Sequence, residues 1–213
     1  MGPPGAGKGT QARLLAEKIG YHQFSTGAAF RTLAGRDTKL GRRVREAIDN
    51  GYLASPKMAA DIVIAAVKEH IERGERLVFD GTPRTSREAL LVDEFFAQRG
   101  YGQPLVIYLD ADKEEMIRRN ARRRFCLGIE KDFPVLAEED RLRCERLGGR
   151  VGVRPDDTPE KYETRWSQFL GHTWPVVEKY RQEGISYEVD GMGSIEEVHK
   201  RVMGVISTVS RGK

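Results

Sequence analysis

At 213 residues the chain is long enough for one sizeable core with inserted lobes, or for two small domains. Its 39% apolar and 32% charged content reads as soluble and globular, and no apolar run approaches the roughly 20 residues that cross a bilayer, so no membrane partner is expected. A net charge of +4 suits an anionic ligand but is too small to indicate nucleic acid by itself.

The first element is a glycine loop, Gly2-Pro-Pro-Gly-Ala-Gly-Lys-Gly-Thr10, which fits G-x-x-x-x-G-K with Thr10 one place late. That ending is a variant of the phosphate-binding loop. Glycines let the backbone aim N–H groups at phosphate oxygens at a helix N-terminus, Lys8 supplies a mobile charge, and Thr10 offers a hydroxyl near the Mg²⁺ of a nucleoside triphosphate. The competing reading, a Gly-Pro-rich turn, is disfavoured because the loop runs into a helix pattern from Thr10 to Ile19, ended by Gly20. Such a loop normally follows a buried strand, and here only Met1 precedes it, so the first strand is absent from the sequence given and an upstream start is expected.

Tyr21–Ser25 is a short strand candidate, and helices are predicted from Ala28 to Ala34, from Leu40 to Asp49, and from Pro56 to about Arg73 behind a Ser55 cap. Arg76–Asp80 is an apolar strand ending in a carboxylate. A helix over Ser86–Gln98, a buried strand over Pro104–Leu109 and a helix over Lys113–Arg124 follow. Residues 125–156 have poor periodicity and read as an inserted lobe or lid with short helical pieces. A long helix from Pro159 to about Glu183 must break or kink at Gly171 and Pro175. Ile185–Val189 is the last strand, and Ile195 opens the final helix, running to about Ile206. Strands alternating with helices predict an α/β fold, a parallel sheet with helices on both faces and ligand loops at the strands' carboxyl ends.

Cys126 and Cys144 are too few for a disulfide framework, and the N-terminus is not a signal peptide, so free thiols and a cytoplasmic location are the expectation. The cysteines stand 18 positions apart, unlike the close-paired ligands of a zinc site, and no zinc is expected. His22, His70, His172 and His199 are scattered and read as structural or exposed.

Four motifs sharpen the reading: residues 2–12, Phe-Ser-Thr-Gly at 24–27 with Arg31, Phe-Asp-Gly-Thr-Pro-Arg-Thr at 79–85, and Arg-Pro-Asp-Asp-Thr-Pro-Glu at 154–160. In order and spacing they resemble adenylate kinase and the related nucleoside monophosphate kinases over nearly the whole chain, and Val-Asp-Gly at 189–191 also fits. The resemblance implies a P-loop NTPase-like core at 1–25, 74–123 and 157–213, a monophosphate-binding lobe at 26–73 and a lid at 124–156. It implies Mg·ATP in the glycine loop, AMP as acceptor, ATP + AMP giving two ADP, and a monomer.

Site residues carry over by motif. Gly5, Ala6, Gly7, Lys8, Gly9 and Thr10 would hold the donor phosphates, with Arg119 and Arg123 reaching the donor nucleotide. Thr26, Gly27, Arg31, Tyr52, Leu53, Ala54, Gly81, Thr82, Pro83, Arg84 and Glu88 would form the acceptor site, which Arg154 and Arg165 close. Lys8, Arg84, Arg119, Arg123, Arg154 and Arg165 would be the catalytic cations, and Thr10 and Asp80 would hold Mg²⁺, through water. Phosphoryl transfer asks for positioning and charge neutralisation, guanidinium binds phosphate in a bidentate way, and no general base is assigned. Arg118, Arg122, Arg124, Arg141, Arg143 and Arg146 read instead as a solvated face.

The sequence departs from the family pattern at Glu88, usually glutamine, Ala28, usually aspartate, and Thr82, usually phenylalanine. Residues 125–153 also depart from the common lid pattern, so no lid contact to the donor base is carried over there. A carboxylate only accepts, so Glu88 suits guanine's two donors better than adenine. GMP, CMP or UMP therefore stays open as acceptor. A catalytically impaired nucleotide-binding protein, or a nucleic-acid partner with a basic lid, also competes. Glu130, Asp132, Glu138, Glu139, Asp140 and Glu145 interrupt the basic segment and disfavour nucleic acid.

Overall fold

The computed structural model describes residues 1–129, 132–154 and 157–211. Glu130, and Pro155 and Asp156 of the fourth motif, lie outside the described residues. Helix α1 (Lys8–Ile19) rises directly from the glycine loop, with left-handed Gly7 before it and left-handed Gly20 after it. Strand β1 (His22–Ser25) leads into α2 (Thr26–Ala34), where the Ser25 hydroxyl accepts from the Ala28 N–H as an N-cap. Thr38 caps α3 (Lys39–Asp49), and Ser55 with Pro56 at the first helical position starts α4 (Pro56–Glu72).

The chain continues through β2 (Leu77–Asp80), α5 (Ser86–Gln98), β3 (Val106–Asp110) and α6 (Lys113–Arg122). Then come β4 (Arg124–Leu127), β5 (Phe133–Val135), α7 (Glu138–Arg146) and β6 (Arg150–Gly152). Last are α8 (Pro159–Gln168), a π-helical turn (Phe169–Thr173), α9 (Trp174–Gln182), β7 (Ser186–Asp190) and α10 (Ile195–Arg211).

The strands pair in parallel as expected, β1 with β2 and β3 with β7, but as two two-stranded sheets. Met1 takes a strand-like place beside β3: the Leu109 N–H donates to the Met1 carbonyl at 3.0 Å, and the Met1 amino group donates to the Ile107 carbonyl. Register places Ser25 opposite Asp80 and Asp110 opposite Asp190, so four polar residues end the strands together at their carboxyl ends. The main core lies between α1, α6, α8 and α10, where Leu15, Met116, Tyr162 and Val202 are buried. A second cluster of Val63, Val67 and Val92 joins α4 to α5, and a third, Phe30, Ala34, Val44 and Ala59, closes the helical insertion on itself.

Three expectations change. Among the described residues, 125–156 is chiefly an antiparallel sheet, with β4 between β5 and β6, and α7 beside it. Strands of three or four residues are too short to display an alternation. Helix α6 stops at Arg122, because Arg123 is extended (φ −65°, ψ 144°) and leads into β4. Cys126 and Cys144 are bonded to each other rather than free. Helix α7, packed beside the sheet, brings the two Cα atoms to 5.5 Å, and Gly149, where a Cβ would lie 2.5 Å from the Cys126 sulfur, makes room. The break foreseen at Gly171 and Pro175 is the π-helical turn, which accommodates a residue that cannot donate to the preceding turn.

Candidate active site

The glycine loop owes its path to backbone that side chains disfavour. Gly5 is left-handed (φ 88°), and a Cβ there would fall 2.6 Å from the Met116 carbonyl oxygen. Gly9 is different: it is helical, and its bareness admits Asp80, whose Oδ2 lies 3.1 Å from where a Cβ would be. The Tyr162 hydroxyl, buried under the loop, donates to the Pro4 carbonyl at 3.2 Å. Lys8 Nζ donates to the Pro3 carbonyl at 2.7 Å, bent over the loop's own mouth. Burial lowers the Lys8 pKa to about 7, with Arg84, Arg165 and Arg123 pushing the same way and Asp80 opposing.

At the head of β2, Asp80 Oδ2 accepts from the Ser25 hydroxyl at 3.1 Å, and its backbone carbonyl accepts from the Thr26 hydroxyl at 3.1 Å. Asp80, Ser25 and Thr10 face the same cleft and are all oxygen donors. This donor set fits a hard, hydrated cation such as Mg²⁺.

Across the cleft, Arg84 Nε donates to the Gly81 carbonyl at 2.6 Å, and the π-helical turn reaches in so that the Thr173 hydroxyl donates to the Arg84 carbonyl at 2.9 Å. A Cβ on Gly27 would sit 3.4 Å from Arg31 Nη1 and 3.6 Å from Arg84 Nη2, so both guanidinium groups converge on this bare backbone. Glu88 is 2% exposed. Its Oε2 accepts from the Arg84 N–H at 2.9 Å, and its Oε1 accepts from the Thr82 hydroxyl. Burial raises the Glu88 pKa, against these two hydrogen bonds. Two of the three residues that depart from the family pattern, Thr82 and Glu88, are thus bonded partners.

The remaining cations are held by acidic or carbonyl groups. Arg119 Nε donates to Glu115 at 2.9 Å, and its Nη1 donates to the Gly191 carbonyl at 2.8 Å, tying α6 to the turn after β7. Asp157 is 3% exposed and accepts from Arg123 Nε at 2.6 Å and Arg165 Nη1 at 2.7 Å. Burial opposes its ionisation, but the Arg123 hydrogen bond and the charges of Arg123, Arg165 and Arg154 prevail, so its pKa is lowered. Arg154 lies over the Phe125 ring at 3.4 Å, with Arg123 at 5.3 Å from the same ring. Asp132 Oδ2 stands 3.8 Å from Arg31 Nε and 3.7 Å from Arg154 Nε.

One cleft of about 1200 Å³ gathers the site, and each residue expected from the motifs lines it, from Gly5 through Thr10 to Arg165. Tyr52 lines it while 58% exposed, and Leu53 and Ala54, which also line it, are half-buried. Arg122, Arg124 and Arg143 are exposed as expected, yet they also border the cleft. Sequence reasoning missed three contributors. Asp157 lay inside a quoted motif but was given no role. Asp132 was read only as an interruption of basic charge. Thr173 carried no signal, because its role depends on the π-helical turn.

The family model described as "Adenylate kinase" matches residues 1–185. The "Adenylate kinase" of Archaeoglobus fulgidus is 33% identical over 215 residues, covering 98% of this chain and 97% of the relative. That of Dehalococcoides mccartyi (strain ATCC BAA-2266) is 33% identical over 210 residues, covering 97% and 95%. That of Thermosipho africanus is 32% identical over 209 residues, covering 97% of each.

Proposed function

The chain belongs to the adenylate kinase family, enzymes that move a phosphoryl group between ATP and a nucleoside monophosphate, and we propose that its acceptor is AMP, so that ATP and AMP give two ADP. One observation carries the reading. Lys8, Arg84, Arg123 and Arg165, from four separate parts of the chain, line one cleft, and the three guanidinium charges are felt at Lys8. Asp157 and Asp80 offset only part of this positive charge, and two nucleotides meeting end to end supply the polyanion that the cleft can still take.

The roles follow from placement. The glycine loop and Lys8 hold the donor's β- and γ-phosphates, and Lys8 turns from the Pro3 carbonyl to do so. Arg31 and Arg84 take the acceptor phosphate over Gly27. An acceptor phosphate oxygen forms a bond to the γ-phosphorus as the bond to the bridging oxygen breaks, leaving ADP on each side. Negative charge spreads over the equatorial oxygens, where Arg123, Arg154 and Arg165 stabilise it, and no residue need remove a proton. Asp80 and Thr10 would hold Mg²⁺ through water, and the ion when bound neutralises the donor's phosphates. The helical insertion at 26–73 then serves as the monophosphate lobe and the small sheet at 124–156 as the lid, with the rest as core. Closing the lid excludes water, which would otherwise accept the phosphoryl group.

Each Glu88 oxygen already accepts one bond within the 82–84 loop, which argues for a loop-holding role and removes Glu88 as an objection to AMP. Its remaining lone pairs would suit guanine's two donors, so GMP is the second reading. A cytoplasmic monomer fits the substrate pair, and no helix among the described residues is long and apolar enough to cross a membrane. The test is product formation from Mg·ATP with AMP, GMP, CMP and UMP supplied separately. Fastest ADP formation with AMP supports the proposal, and a faster reaction with GMP replaces AMP as the acceptor. No transfer to any of the four would leave a nucleotide-binding protein without turnover.

A further inference from the structure

Two of the four histidines, distant in sequence, meet at the far end of β1 from the cleft. His22 opens β1, and His70 lies in the last turn of α4. Their rings stack with centroids 4.1 Å apart and 30° between planes. Glu75, in the turn before β2, brings Oε2 onto His70 Nδ1. One nitrogen from each imidazole and one Glu75 oxygen all lie within 4.8 Å of one another. The neighbouring cations do not occupy the cluster: Arg73 pairs with Glu69 at 2.7 Å, and Arg76 donates to the Tyr21 hydroxyl at 2.9 Å.

We propose that His22, His70 and Glu75 form a three-ligand site for a borderline divalent transition-metal ion of the zinc type, separate from the magnesium of the cleft. Two imidazole nitrogens with one carboxylate oxygen suit Zn²⁺ or Co²⁺ and not Mg²⁺ or Ca²⁺. Ligand atoms each about 2.1 Å from a tetrahedral ion stand roughly 3.4 Å apart. His70 is buried and acts as the fixed anchor, while His22 and Glu75 are exposed and can rotate to complete the shell. Solvent at those two residues leaves the fourth position to water. The ion ties the start of β1 to the end of α4, so binding stabilises the folded chain by linkage rather than entering the chemistry.

The experiment uses the tag-free, oxidised full chain without nucleotide. Co²⁺ is titrated while its visible d–d absorption is followed, and the melting temperature is measured with and without Zn²⁺. The expected result is one equivalent of Co²⁺ displaced by Zn²⁺, a melting temperature raised by Zn²⁺, and binding weakened by at least about tenfold in His22→Ala and in Glu75→Gln. Asp80→Asn should bind as the wild type does, which separates this site from the cleft. Circular dichroism of the His22 and Glu75 variants checks that their folds are intact. No Co²⁺ absorption and no Zn²⁺-dependent shift in the wild type would overturn the proposal. Equal binding by His22→Ala and the wild type would do the same and leave His70 and Glu75 as an ordinary hydrogen-bonded pair. Neither result bears on which mononucleotide accepts phosphate.

Discussion

Asp157 grips Arg123 with both carboxylate oxygens, Oδ2 accepting from Nε at 2.6 Å and Oδ1 from Nη2. The same Oδ1 takes Arg165 Nη1 at 2.7 Å, so one buried carboxylate sets two of the cations proposed for the transferring group. Asp157→Asn removes the charge that aligns them. The expected loss in kcat is about a hundredfold, the scale of a misplacement near 1 Å, with a smaller change in KM. Thermal unfolding should show a cost of about 1.5–3 kcal/mol, as for hydrogen bonds to charged groups. Because the Asp157 pKa is lowered in the folded state, its contribution is present above the unfolded carboxyl pKa and fades as the solution is acidified through the folded value. Unchanged turnover in the variant would remove Asp157 from the positioning role.

Asp132 stands within 4 Å of Arg31 on one side and Arg154 on the other, where an acceptor phosphate would compete for the same two cations. Asp132→Asn should therefore lower the KM for the monophosphate by about fivefold, corresponding to about 1 kcal/mol of lost competition. Steady-state kinetics with varied acceptor checks it. A higher KM would mean that Asp132 instead holds the two arginines in place for the substrate.

Lys8 is expected to couple nucleotide binding to proton uptake. With a pKa of about 7 in the nucleotide-free chain, it is largely neutral at pH 8. Phosphate oxygens restore its charge, so binding at pH 8 should take up close to one proton, and Lys8→Met should abolish this. Calorimetry in buffers of different ionisation enthalpy measures it. The stability sign follows from the same shift. Between about pH 7 and 10.5 the unfolded chain keeps the Lys8 proton and the folded chain does not, so this residue's contribution to stability rises with pH across that window. No uptake at pH 8 would show Lys8 charged before the nucleotide arrives.

The Cys126–Cys144 bond closes the small sheet across 18 residues. In the chain-entropy model a loop of this length is stabilised by about 3 kcal/mol. Reduction, or Cys144→Ser, should raise hydrogen exchange in β4, β5 and β6 while β1, β2, β3 and β7 keep their protection. Equal exchange before and after reduction would show that packing alone holds this sheet.

The motifs made the residues of the candidate site legible because phosphate chemistry demands particular residues at particular spacings. Gly5, Lys8, Arg31, Asp80, Arg84 and Arg154 could be named without coordinates. Most helices were legible too, since Gly20, Ser55 and Pro56 are local signals that act within a few residues of themselves. What lay beyond reach depends on residues far apart in sequence. Strands of three or four residues have no periodicity to read, so β4, β5 and β6 exist only as a sheet. The partnership of Thr82 with Glu88 recast two separate departures as one contact. The Cys126–Cys144 bond and the meeting of His22 with His70 follow from how the chain folds back, which spacing alone does not encode. The sequence by itself determined which chemical groups the protein holds. Only the tertiary structure decided which of them share a charge, because Coulomb and hydrogen-bond energies depend on distance in space and not along the chain.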